Sequence, residues 1–441
     1  MTIKDSDPAR LSRRDAISRL ALGARLNPAF QRIVDVKADT VNVKDFGAIG
    51  DGDTDDAAAI QSAIETSPAV YCPPGRYLLG RALLCPPNRQ TCLRGAGSGL
   101  TVLRSSAAAG GKIVAFTHTH LVSEFSSSIQ GLTADGGAGL GPIIELNGLT
   151  LALLRDLVIT NGSGTGLSLL SLYDSHFENV YIETVGDSRH PAVVLDTNMP
   201  AGTLGGDSLN NCQFYNLHIE PGDRDTILLD LVGSGVNRVE ENIFYGLKLH
   251  GNPSNSNPRR PLLRLSPRAA SNRFFAVLIA FGHGSSQVEI SGNGNMFYAP
   301  VLGLGASEPE VGFDLIGGFN YIEDAVFKGT AYSMSYVRNR GNENVVLRPR
   351  IGNRGPSLYK DSGKLHVQYR DPLTRAYHLY DQDGWTYHKQ VDFPDGFLPP
   401  RLTTVERDAL PYPSAGLIIF NTTTSKLNVY TRSGWEALAS F

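Results

Sequence analysis

SHFENVYIE (residues 175–183) returns as NNCQFYNLHIE at 210–220 and as ENIFYGLKLHG at 241–251, and this recurrence decides the fold. SNRFFAVLIAFG (271–282), GNMFYAPVLG (294–303) and FNYIEDAVFKG (319–329) continue it. Each copy is a short alternating strand, a Gly or Asn turn, N-x-F or a relative of it, and a second alternating strand. One anchor per copy gives Ile129, Leu154, Phe177, Phe214, Phe244, Phe274, Phe297, Tyr321 and Val345, at steps of 25, 23, 37, 30, 30, 23, 24 and 24 residues. A period near 24 that holds only strands and turns signals a solenoid. The L-x-x-L-x-L frame of leucine-rich repeats is absent. Alternation turns Val180 and Ile182, Leu217 and Ile219, and Leu247 and Leu249 inward, where the next coil covers them. The expected fold is all-β, a right-handed parallel β-helix.

Composition agrees with this. In 441 residues, 41% are hydrophobic and only 19% charged, while 47 Gly and 25 Pro call for many turns between short strands. The net charge is −3 and no Lys/Arg run occurs, so a nucleic-acid partner is not expected. No apolar run approaches the roughly 18 residues of a membrane span. Cys72, Cys85, Cys92 and Cys212 form no CxxC pair, which argues against zinc. Buried free thiols are expected, with a Cys72–Cys92 or Cys85–Cys92 bridge as the alternative in an exported protein.

Ahead of the repeats, DFGAIGDGDTDD (45–56) puts five aspartates in twelve residues. Asp51, Asp53 and Asp55 begin like a Ca²⁺ loop. Asp56 then takes the glycine position, and Ser62 stands where the bidentate Glu belongs, so no cofactor or metal is expected. The run reads instead as the start of a helix that closes the solenoid. Asp53 or Thr54 is its N-cap, Asp55 and Asp56 meet the positive end of its dipole, and Ala57, Ile60 and Ile64 form its apolar stripe. Leu11–Ala24 (LSRRDAISRLALGA) resembles a twin-arginine export signal, with a short amphipathic helix as the alternative.

VNVKDFGAIGDGDTDDAAAIQSAI (41–64) followed by VYCPPGRYLL (70–79) resembles the start of the pectate-lyase-like domain shared by rhamnogalacturonase/epimerase-like proteins and many phage tailspikes. The resemblance implies a β-helix that acts on polysaccharide, but its motif is common to hydrolases, lyases and non-enzymes. RLTTVERDALPYPSAGLIIFNTTTSKLNVYTRSGWEAL (401–438) resembles a module near the C-termini of phage tail fibres, which implies a homotrimer. Four segments are expected: an extension over 1–40 (export signal or head-binding), the β-helix over 41–352, a β-rich connector over 353–396, and a small antiparallel module over 397–441. An extracellular protein or a virion tail is the expected location.

Counting from the Phe anchors places Glu183, Glu220 and His250 in one outward column, and Tyr181, His218 and Lys248 in the next. Two carboxylates so close resist joint ionisation, so one is expected to hold a proton through a raised pKa. That is the need of a glycoside hydrolase and makes hydrolysis the first expectation. Elimination on a uronate is the second, with Lys248 or His218 as base and Tyr181 as proton donor. A carbohydrate-binding tail-fibre or surface protein without turnover is the third, since outward solenoid positions are polar by default. Arg189, Arg224, Arg259 and Arg260, on the loops that follow, are expected to clamp an acidic sugar. Asp174 and Asp196 read as bend formers. Asp230 and Asp314 offer a site on another face. His118 and His120 read as surface residues, not metal ligands.

Overall fold

A computed structural model describes residues 40–379 and 399–438 apart from short segments (88, 123–125, 198–207, 235–236, 253–259, 283–284, 305–310, 329–334, 348, 352–356, 362–363, 372–374, 411–412 and 414). The N-terminal extension and the export signal lie outside the described residues. The chain divides into two units at residues 387 and 388.

The first unit is a parallel β-helix. Its coils form one sheet of 20 strands and one of 13, with a three-stranded sheet along part of the length. Leu153–Gly162, His176–Val185 and Gln213–Glu220 stack in register, with Leu154 opposite Phe177 and Phe177 opposite Phe214. Each of these strands bends at a left-handed residue near its middle, Asp156, Asn179 or Asn216 (φ 54°, 53° and 54°). Asp and Asn reach that region more readily than other residues with a Cβ. Their side chains pair down the bend: Asn179 Nδ2 donates to Asp156 Oδ1 at 3.0 Å and Asn216 Nδ2 to Asn179 Oδ1 at 3.1 Å. In the next coil Gly246 (φ 63°) takes the bend and the strand splits into Ile243–Tyr245 and Lys248–His250.

Inside, the rings of Phe177, Phe214, Phe244, Phe274 and Phe297 stack at centroid spacings of 4.4–4.7 Å with planes 4–9° apart. Val180, Ile182, Leu217, Ile219, Leu247 and Leu249 are buried as the alternation requires. The last two anchors are shifted by one. Ile322 and Val346, not Tyr321 and Val345, continue the Phe column, and Val345 is 42% exposed. The asparagine explains the shift, because the inward residue stands two after Asn320 and Asn344.

That asparagine recurs from coil to coil. Asn242, Asn272, Asn295 and Asn320 are fully buried and form a ladder. Asn272 Oδ1 accepts the Asn242 backbone N–H (3.1 Å) and Nδ2 (3.0 Å), while Asn272 Nδ2 reaches Val239 O (2.9 Å) and Asn295 Oδ1 (3.0 Å). Asn295 bonds Asn320 in the same way, and the backbone N–H of Asn320 donates to Asn344 Oδ1.

At the N-terminal end, helix Ala57–Thr66 buries Ala57, Ile60, Ala63 and Ile64 against the core. Its N-cap position is Asp56, not Asp53 or Thr54, which belong to the strand Asp51–Asp55. The buried Asp56 carboxylate turns back to the N–H groups of Ile49 (2.6 Å) and Gly50 (3.0 Å). Asp55 Oδ1 accepts from Ala57 N and Gly80 N, and Asp51 from Asp53 N, Thr54 N and Thr54 Oγ1. The aspartates are therefore turn and helix-start acceptors. All four cysteines are free thiols, so neither bridge is formed. Burial raises the thiol pKa of Cys72, Cys85 and Cys212.

At the far end Ser357–Asp361 extends the 13-stranded sheet, and Lys364–Asp371 and Arg375–Leu379 follow antiparallel. The second unit is a four-stranded sheet of Arg401–Leu402, Ile418–Asn421, Lys426–Thr431 and Gly434–Ala437, with a short helix Thr404–Asp408. A capping box of Thr403 and Glu406 starts that helix. Arg407 lies over the Trp435 ring at 5.7 Å. Among the described residues no helix is long and apolar enough to cross a membrane.

Asn272→Ala removes the acceptor of the Asn242 N–H and of one Asn242 Nδ2 hydrogen and the side-chain donor to Val239 O in a dry interior, while Asn295 Oδ1 keeps the backbone N–H of residue 272. We expect a loss of about 2–3 kcal/mol in chemical denaturation, against less than about 1 kcal/mol for the exposed Asn216→Ala. Equal losses would show that the buried ladder carries no special weight.

Candidate active site

Three consecutive coils bring their outward side chains together on one face. Tyr181 stands opposite His218 and His218 opposite Lys248, while Glu183 stands opposite Glu220. His250 follows Glu220 on the next coil. The intervening Ile182, Ile219 and Leu249 are fully buried, which forces the polar residues outward.

Glu220 is the hub. Its Oε1 lies 2.7 Å from His218 Nε2, 3.3 Å from His250 Nδ1 and 3.6 Å from Lys248 Nζ. Its Oε2 accepts the Tyr181 hydroxyl at 3.2 Å. The His218 ring is not aligned to donate along its short approach, so Nε2 is buried without a directed hydrogen bond among the described residues. Glu183 is bonded less tightly, with Thr160 Oγ1 3.5 Å from its Oε1. The Tyr181 and His218 rings lie 4.8 Å apart, and His250 meets Phe281 edge-on at 4.5 Å. His218, Glu220, Lys248 and His250 are 27–37% exposed, open to a ligand yet partly desolvated.

The charges shape the titration. Burial and then the Lys248 charge hold the His218 imidazole below its ordinary value, against the pull of Glu220. Burial raises Glu220, but His218, the Tyr181 hydroxyl and His250 outweigh it, so this carboxyl lies below its usual range. Burial, then the Glu220 and Glu183 charges, push the Tyr181 phenol up. The Glu220 carboxyl thus shifts opposite to the raised pKa expected of the pair, because His218, the Tyr181 hydroxyl and His250 lie around it.

The loop arginines are not gathered on this cluster. Arg224 Nη1 donates to Gly186 O (3.2 Å) and lies 3.4 Å from Ser163 Oγ, which makes it a strut across coils. Arg189 is exposed on a turn held by Asp187, whose Oδ1 accepts Arg189 N (2.7 Å) and His190 N (2.8 Å). Arg260 is half-buried, and Arg259 lies outside the described residues. Asp230 and Asp314 do share a column of the second sheet, but as buried ion pairs and not as a site. Asp230 takes both arms of Arg264, and Asp314 takes Arg338 and Arg340. Asp174 and Asp196 accept from Asn211 Nδ2 and Ser234 Oγ, as bend formers do. The side chains of His118 and His120 lie outside those described.

Sequence reasoning overlooked the N-terminal part of the Glu220 column. Six residues after the anchors Leu154 and Ile129 come Thr160 and Asp135, and Arg104 follows them. Carrying the same count two coils upstream finds the first two.

The family model described as "Rhamnogalacturonase A/epimerase, pectate lyase-like" matches residues 40–135, and "Phage tail like trimerisation region" matches 389–440. The fold is a parallel β-helix, and its N-terminal part, residues 40–135, is similar to that pectate-lyase-like family. Mannuronan C5-epimerase AlgE6 of Azotobacter vinelandii is 40% identical over 106 residues, 22% of this chain and 12% of that protein. A probable rhamnogalacturonase A of Aspergillus oryzae is 26% identical over 208 residues, 46% of this chain and 36% of that one. The chain thus spans a minor part of these relatives' lengths. The structure of ORF18 from Geobacillus virus E2 shares the fold, with a TM-score of 0.58 at 17% identity over 100% of this chain and 90% of that one.

Because Glu220 raises and Lys248 lowers the His218 pKa, Glu220→Gln should move it further down and Lys248→Met should move it up. NMR titration of the imidazole reads both. A His218 pKa unmoved by either change would dissolve the cluster as an electrostatic unit.

Proposed function

We propose that the protein depolymerises an acidic, uronate-bearing polysaccharide by β-elimination at the Tyr181–His218–Glu220–Lys248–His250 cluster. The observation that carries this reading is that both Glu220 oxygens are engaged by neighbours, so this carboxylate organises cations and a phenol in place of attacking a sugar. Lys248, with His250 beside it, faces the position a uronate carboxylate takes and offsets the charge that builds as the proton α to it leaves. His218, held below its ordinary pKa, is neutral at pH 7 and takes that proton. The C–H electron pair becomes the C4–C5 double bond and the C4–O bond breaks. Tyr181, which keeps its proton because its pKa is raised, supplies that proton to the departing oxygen. Names of the partial relatives, an epimerase and a rhamnogalacturonase, support a carbohydrate substrate.

The match at 389–440 supports assembly as a homotrimer and a place on a virion tail or outside the cell. A second reading, hydrolysis, draws on Glu183 standing in register with Glu220 while lightly bonded. Glu183 then acts as the acid or nucleophile.

On polyuronates the protein should release products with the ultraviolet absorbance of an unsaturated uronate, and Tyr181→Phe should cut the rate on the order of 10²-fold or more. Since the base must be unprotonated and His218 titrates below the ordinary imidazole value of about 6.5, kcat/KM should hold down to that pH and fall under more acid conditions. New reducing ends without absorbance, lost in Glu183→Gln, would establish hydrolysis instead. Binding with neither product would establish a carbohydrate-binding protein.

A further inference from the structure

The column through Glu183, Glu220 and His250 continues in both directions. Towards the N-terminus it passes Thr160 and Asp135 to Arg104, each in register with the next. Towards the C-terminus His250 is followed by Ala280, Gly303 and Lys328. Arg104 and Lys328 therefore each stand four coils from Glu220, roughly 19 Å at about 4.8 Å per coil.

The residues between suit a groove floor. On the C-terminal side Ala280 and Gly303 present almost no side chain, and a Cβ on Gly303 would already touch that of Ala280 at 3.3 Å. Half-buried Leu278, Val301 and Val326 run beside them, so the floor is flat and uncharged until the exposed Lys328. On the N-terminal side Asp135 is spent on its own turn, its Oδ1 accepting Gly137 N and Asn161 Nδ2, both at 2.9 Å. Arg104 Nε stands 3.7 Å from Asp135 Oδ2, beyond hydrogen-bond distance, with its side chain 51% exposed.

We infer that Arg104 and Lys328 are the outer anion subsites of one groove, in which an extended polyuronate lies along the solenoid axis with its reacting residue over Glu220. This rests on the uronate reading above. A sugar of an extended chain advances about one coil, and in a two-fold ribbon every second carboxylate faces the same side. Four coils is an even number of such steps. The carboxylates at the reacting residue and at both ends therefore all turn towards the protein, each meeting a cation.

Calorimetric titration of the intact protein with oligogalacturonates and oligomannuronates of graded length tests this. Affinity should climb with length until the chain spans Arg104 to Lys328, about nine sugars at one per coil. Arg104→Glu and Lys328→Glu, both at exposed positions, should each weaken the longest chains roughly three- to tenfold and leave trimers unchanged. Affinity that levels off at the trimer, or variants that bind long chains normally or lose affinity equally at every length, would overturn the groove. Tyr181-dependent unsaturated product would then still uphold the elimination. Failure to bind any polyuronate would overturn both together.

Discussion

The structure depends on a backbone N–H that finds its acceptor in the next coil's asparagine. At the start of each strand from Asn242 to Asn320, an amide lies where the ordinary ladder does not reach it, deep in an apolar interior. A buried unpaired amide is costly, so the asparagine carbonyl that meets it fixes each coil against the next to within one residue. The phenylalanine stack, the inward aliphatic rows and the outward columns follow from that alignment. A slip of one residue would turn every inward side chain out. Coils 30 and 23 residues long, from Asn242 to Asn272 and from Asn272 to Asn295, thus stay aligned, because the surplus goes into loops and not into strands.

Strand register between neighbouring coils makes the charged cluster. Nothing local in Tyr181, His218, Glu220, Lys248 or His250 marks them as a group, since they come from three coils spread over the chain from residue 181 to residue 250. Stacking sets them about one strand spacing apart, and partial burial lets their charges act on one another. The result is a carboxylate held ionised, a phenol held protonated and an imidazole held neutral.

Much of this was legible in the sequence, since a solenoid writes its contacts as a period. The coils, the inward rows, the capping helix and the two outward columns could be read by counting from Phe177, Phe214 and Phe244. Counting failed where the aromatic signal drifted off the inward row, at Tyr321 and Val345, because the deciding residue was the asparagine before them. The helix start was misread because Asp56 spends its carboxylate on Ile49 and Gly50 in a loop that folds back, a tertiary contact no local pattern encodes. The direction of the Glu220 shift was also out of reach. Two adjacent glutamates suggest repulsion, and only the placement of His218, the Tyr181 hydroxyl and His250 around Glu220 reverses it. Asp230 and Asp314 looked like site candidates for the same reason, until their arginines appeared on neighbouring coils.

The phenylalanine stack has a consequence for how the chain acquires its shape. Each ring touches only the rings one coil before and after, so contacts seldom join distant parts of the sequence. Such a topology has no single late step at which remote segments must meet, and order spreads from one formed coil to its neighbour. Growth of this kind is reversible at its ends, where the terminal coil has only one partner. Helix Ala57–Thr66 gives the first coil the missing second partner, so it governs where unravelling can begin as much as what the finished molecule looks like.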